Sequence, residues 1–126
     1  MELKITVITE NSVTKRELLA EHGLSLLIET PQYKVLFDTG QGMAVEPNLK
    51  KLRVNLQEIN SIALSHGHND HTGGLKKVLS LGGPKDVFGH PGILMRNMPP
   101  LQMVPIAQTE CLFPRWSWSL WECSFI

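Results

Sequence analysis

An α/β fold is what this sequence predicts, a hairpin-led sheet whose later strands alternate with helices. Three observations predict it. Apolar, β-prone runs at 3–9, 24–29 and 34–37 are separated by turn residues; a short apolar run at 61–65 opens directly into a polar loop; and helix-length segments flank that run on both sides. The chain has 126 residues, 42% hydrophobic and 19% charged, the range of one ordinary domain with a sizeable core.

Taken in order, residues 3–9 alternate apolar and polar side chains and predict a first strand. The second strand spans 24–29, Pro31-Gln32 makes a turn, and a third strand covers 34–37, closing a hairpin. A short helix is expected at 48–54 and a buried strand at 61–65. The next helix, 74–81, has Thr72 as its candidate N-cap and Gly82-Gly83-Pro84 as its stop signal. A strand at 86–89 follows, then a helical turn at 93–97 before Pro99-Pro100 interrupts. No internal repeat is present.

The most informative stretch is Ser65-His66-Gly67-His68-Asn69-Asp70-His71-Thr72-Gly73-Gly74, which puts three imidazoles and a carboxylate directly after the buried strand. These are nitrogen and oxygen donors that borderline ions such as zinc accept, and all are in a ligating protonation state near neutral pH. His66 and His68, two apart, project to one side of an extended segment and can grip one ion. Asp70 and His71 are adjacent, so in a tight turn they can serve a neighbouring position, which makes a second ion feasible. Gly67, Gly73 and Gly74 let the backbone approach closely. Asp38, in Phe37-Asp38-Thr39-Gly40, marks the break of a strand into a turn. It either caps that turn or supplies the carboxylate that metal-bound imidazoles need on their other ring nitrogen.

The loop resembles the H-x-H-x-D-H signature of the metallo-β-lactamase superfamily. The resemblance extends upstream through Glu21-His22-Gly23-Leu24-Ser25-Leu26-Leu27-Ile28-Glu29 and Lys34-Val35-Leu36-Phe37-Asp38-Thr39-Gly40, and covers residues 3–110 by motif order. It is strongest to a branch that includes an archaeal methanopterin-pathway synthase and many metal-dependent hydrolases. The resemblance implies the N-terminal half of an αβ/βα sandwich, a mixed sheet with flanking helices. It implies His66 and His68 as ligands of a first metal, Asp70 and His71 as ligands of a second, and Asp38 as the acid beneath the site that orients the loop. His22 and His90 are then candidates for the substrate vicinity, although a turn-capping histidine and a strand-end histidine held by local backbone groups account for them more simply.

Members of the family draw a further histidine, a bridging acid and often a last histidine from the second half of the fold. Nothing after His71 supplies that set, since His90, Asp86 and Glu110 are what remain before the tail. A half sandwich leaves one apolar sheet face without a partner layer. The expectation is that the chain pairs with another copy or is a truncated, marginally stable unit.

The implied chemistry is metal-assisted hydrolysis of an ester, lactone or phosphate, with one or two zinc ions, or iron or manganese in their place, and Asp70 holding or deprotonating the attacking water. Three other classes compete: a pterin-pathway synthase or transferase of the same fold, an iron-dependent oxidoreductase, and a non-catalytic metal-binding half-domain. Twelve basic residues balance twelve acidic ones, so no nucleic-acid partner is indicated and a small-molecule substrate is expected. No run approaches membrane-spanning length, the N-terminus lacks a secretory pattern, and Cys111 and Cys123 form no CxxC pair. A cytoplasmic location with reduced thiols follows as an expectation. Residues 1–110 carry the family pattern. Residues 111–126 form an atypical tail with all three tryptophans and both cysteines, read as a strand covering an exposed sheet face or as sequence foreign to the family.

Overall fold

The computed structural model describes residues 2–93 and a short strand at Arg115–Ser117. Six strands form one mixed sheet in sequence order: β1 (Lys4–Thr9), β2 (Ser25–Glu29), β3 (Lys34–Phe37), β4 (Ser61–Ala63), β5 (Asp86–Phe88) and β6 (Arg115–Ser117). The first two pairings are antiparallel, β3–β4 and β4–β5 are parallel, and β5–β6 is antiparallel. Parallel pairs need crossovers, and α1 (Val45–Lys51) supplies the first, α2 (Asn69–Thr72) and α3 (Leu75–Gly82) the second.

The two faces of the sheet differ. In register across it, Leu27, Leu36, Ile62 and Val87 stand in one row at 1%, 0%, 0% and 2% exposure. Val45 and Leu49 of α1 and Leu75, Val78 and Leu79 of α3 belong to the same buried cluster, so this face is the core. One residue along each strand, Val7, Leu26, Phe37, Ala63 and Phe88 form a second row on the opposite face. That row is apolar too, yet its members are half-buried or, for Val7, 50% exposed. Ile5, at 57% exposure, shares this face with the half-buried Ile28 and Val35. An apolar sheet face opposite the helices is the arrangement expected of half a sandwich.

Several boundaries move from the sequence expectation for identifiable reasons. The helix expected at 48–54 is Val45–Lys51, because Pro47 is tolerated in a first turn and the orphan amides before it are met from outside. Buried Glu21 accepts from Gly42, Met43 and Ala44 at 3.3, 2.9 and 3.0 Å. The helix stops at Arg53, whose φ of 56° is left-handed. Strand β4 ends at Ala63, because the Ser65 N–H turns away to a side chain of the neighbouring loop. Thr72 does not cap α3: it ends α2, its hydroxyl donates to His68 O at 3.0 Å, and α3 starts from Gly74 with no side-chain cap. A 3₁₀ turn occupies Pro91–Ile93, and the remainder of the expected 93–97 helix lies outside the described residues.

Of the atypical tail, the backbone at Arg115–Ser117 adds an antiparallel edge to β5, with Trp116 opposite Val87 in register. Cys111, Cys123, Trp118 and Leu120 lie outside the described residues. Among the described residues, no helix is long and apolar enough to cross a membrane.

Candidate metal centre

Three segments that leave parallel strands at their carboxyl ends converge on one point. Such strand ends are where open α/β sheets place their ligands. Asp38 follows β3, the histidine loop follows β4, and His90 follows β5.

The loop turns after His68, whose extended backbone precedes the single helical turn of α2. His68 O accepts the amides of His71 and Thr72, both at 3.0 Å, so Asp70 and His71 lie in that turn. The turn is tied to the sheet on two sides. Thr39 N and Oγ1 donate to His71 O at 2.8 and 3.0 Å, and Leu24 N donates to Asp70 O at 3.3 Å. Gly23, with a φ of 138°, runs so near that a Cβ there would collide with the Asp70 carbonyl. Only glycine fits that approach. On the other flank, Gly67 passes the Ile93 carbonyl equally closely.

Asp38 is fully buried, at 0% exposure. Its Oδ1 accepts Ser65 N at 2.8 Å, while its Oδ2 lies 2.7 Å from both Ser65 Oγ and His71 Nδ1. It holds this position with a left-handed φ of 57°, a conformation acidic and amide side chains tolerate better than most.

His66, Asp70 and His71 come together: one donor atom from each lies within 4.8 Å of the others, and all three side chains are half-buried. The His66 and His71 ring centroids are 4.1 Å apart. His71 Nε2 is 3.4 Å from Asp70 Oδ2, and His22 Nε2 is 3.3 Å from that same oxygen. His68 stands beside this trio, its exposed ring edge-on to His66 with centroids 4.6 Å apart. Spacing pairs His66 with His68 and Asp70 with His71; the geometry brings donor atoms of His66, Asp70 and His71 within 4.8 Å of one another, with the His68 ring beside His66.

The two outlying histidines flank the loop on opposite sides. His22 borders Asp70, held there by the Gly23–Asp70 approach and by the buried Glu21 next to it in sequence. His90 accepts the Gly92 amide on Nδ1 at 3.0 Å, the local backbone contact expected of a strand-end histidine. It also lines a cavity of about 460 Å³ together with Ser65, His66, Gly67, His68 and Ile93. Two participants were not singled out from sequence. Glu21 clamps the segment between Asp38 and α1, and Ser65 bridges Asp38 to His66 Nδ1 at 2.9 Å. The signal available for Ser65 was its place as the first hydrogen-bonding side chain after the strand.

The donor set fits a metal ion. Asp38 Oδ2 lies 2.7 Å from Nδ1 of His71, and a hydrogen held on that nitrogen makes Nε2 the ring's lone-pair atom. That Nε2 and the Asp70 oxygen then face each other at 3.4 Å, where only a shared proton or a cation makes the approach favourable.

Comparison with known proteins gives consistent findings. The model of the Metallo-beta-lactamase superfamily matches residues 19–108. The chain is similar to the 7,8-dihydropterin-6-methyl-4-(beta-D-ribofuranosyl)-aminobenzene-5'-phosphate synthase of Methanocaldococcus jannaschii, 40% identical over 82 residues that cover 59% of this chain and 27% of that protein. It is 30% identical over 99 residues to the ribonuclease Z of Lactobacillus helveticus, covering 74% of this chain and 31% of that one. Among solved structures, the HARLDQ-motif metallo-beta-lactamase of Cronobacter sakazakii aligns with a TM-score of 0.53 at 26% identity, over 61% of this chain and 29% of that chain. The chain therefore spans about a third or less of the length of these proteins.

Proposed function

Because the chain belongs to the metallo-beta-lactamase superfamily, we propose that it is a zinc-dependent hydrolase acting on a small ester, lactone or phosphate-type substrate. The observation that carries the proposal is the convergence of His66, Asp70 and His71 within 4.8 Å in front of a fully buried carboxylate. His66, Asp70 and His71 would hold the ion. His68 would join them by a side-chain rotation that its exposed position permits. Bound zinc would supply an activated water at neutral pH and polarise a substrate oxygen. Asp38 fixes the His71 ring and holds the loop through Ser65. Asp70, with the His22 imidazole 3.3 Å away, is placed to accept the proton that the attacking water gives up. The cavity beside His66, His68 and His90 offers a substrate both an apolar wall at Ile93 and imidazole donors.

A second reading has its own support, since the 40% identity to the pterin-pathway synthase covers this same loop region. In that case the same centre would serve a synthase reaction on a phosphate-bearing aromatic substrate. The test is turnover of chromogenic phosphodiester, ester and lactone probes by the full chain, after chelation and again after zinc is restored. Zinc-restored turnover that His71→Ala abolishes supports the hydrolase. Zinc binding without turnover of any probe overturns it in favour of the synthase or a non-catalytic metal-binding unit.

A further inference from the structure

The Ser65 hydroxyl stands between the buried carboxylate and the first histidine, 2.7 Å from Asp38 Oδ2 and 2.9 Å from His66 Nδ1. A hydroxyl has one hydrogen to give, and two lone pairs to receive. Which neighbour takes the hydrogen follows from Asp38. Its Oδ2 accepts the Ser65 hydroxyl at 2.7 Å, and the same side chain accepts the Ser65 amide and faces the His71 ring nitrogen at 2.7 Å. The Ser65 O–H therefore points to Asp38, and its oxygen is left to accept from His66. His66 must then carry its hydrogen on Nδ1, which leaves Nε2 as the lone-pair atom of a ring grouped with Asp70 and His71.

We propose that Ser65 is a positioning residue of the metal centre, a relay through which Asp38 fixes the tautomer of His66 as it fixes that of His71 directly. One buried carboxylate thus prepares two imidazoles as Nε2 donors, although His66 never touches it. The economy is physical: a neutral imidazole with nothing on Nδ1 is free to place its hydrogen on Nε2, and a ring in that form has no lone pair for a cation there. The purpose assigned to the relay rests on the metal-centre reading, but the relay itself belongs to the chain without any ion.

The experiment reads the tautomers directly. Two-bond ¹H–¹⁵N correlation spectra of the imidazoles, which separate the Nδ1–H, Nε2–H and doubly protonated forms, are recorded on the chelator-treated full chain. Wild type, Ser65→Ala and Ser65→Thr are compared, and zinc affinity is measured on each by chelator competition. The expected result is His66 as the Nδ1–H form in wild type and Ser65→Thr. Ser65→Ala moves His66 toward Nε2–H and loses about 10-fold in zinc affinity, the range for partners behind a metal ligand. A wild-type His66 in the Nε2–H form overturns the proposal, and needs no variant to fold. So does a Ser65→Ala protein with unchanged tautomer or unchanged zinc affinity. If no chain binds zinc while the tautomers follow the expected order, the metal reading fails and the relay stands.

Discussion

Replacing Asp38 by Asn isolates what the buried carboxylate does. Asn tolerates the left-handed φ of 57° at this position, so the backbone gains no strain that Ala would bring. Its Oδ1 still accepts the Ser65 amide, and the Ser65 hydroxyl can reverse and accept from the new NH₂. The His71 ring cannot adjust so cheaply. Its Nδ1, 2.7 Å from the old Oδ2, now meets a donor, and the clash is relieved only if the ring moves its hydrogen to Nε2. Stability falls because charge-assisted hydrogen bonds at a fully buried site become neutral ones, a loss of about 2–3 kcal/mol. With a urea dependence of about 1–3 kcal/mol per molar, the unfolding midpoint drops by roughly 0.7–3 M. Zinc affinity falls about 10- to 100-fold, since the switched ring offers hydrogen where the ion needs a lone pair. Urea unfolding of the chelator-treated protein gives the first quantity and chelator competition the second. A folded Asp38→Asn protein with wild-type zinc affinity would refute the reasoning.

Other perturbations probe the scaffold. Leu36, at 0% exposure in the central row of the sheet's helix-covered face, should cost about 3 kcal/mol when changed to Ala, measured by the same urea titration; a loss below about 1 kcal/mol would contradict the packing described. Burial pushes the Lys85 ammonium below its ordinary pKa of 10.5; its Nζ donates to Ile59 O at 2.8 Å. The folded chain then gives up that proton more readily than the unfolded one, so stability should rise with pH from the lowered pKa up to 10.5. Lys85→Met should flatten that rise in thermal unfolding measured across the alkaline range, and a rise of equal slope in the variant would exclude Lys85 as its source.

How far the sequence could be read depended on how local each signal is. The hairpin of β1 to β3 and the helix of α3 were legible because apolar alternation, helical spacing and the Gly-Gly-Pro stop all act within a few residues. The start of α1 was not, since the amides of Met43 and Ala44 that lead into it are met by Glu21, some 20 residues earlier in the chain, and nothing near Val45 announces that contact. Thr72 was misjudged for the opposite reason: a hydroxyl before an apolar run signals a cap, but here the preceding turn takes the hydroxyl for itself. At the site, residue types and their order singled out His66, His68, Asp70 and His71, while the nearness of Asp70 and His71 to His66 depends on the single turn of α2. That turn swings Asp70 and His71 back toward His66, and only three-dimensional tethers from Leu24 and Thr39 fix it. The apolar face opposite the helices was anticipated from the half-sandwich resemblance, and its composition is visible once the strand register is known.

The account's central claim is that His66, Asp70 and His71, held by Asp38, form a metal centre in this chain. Elemental analysis of freshly purified, gel-filtered protein, with wild type, His66→Ala and His71→Ala run side by side, tests it most directly. The account predicts at least one zinc ion per wild-type chain and a loss of most of it in each variant. Wild-type protein without bound metal after zinc loading, or variants that retain the full complement, would contradict it.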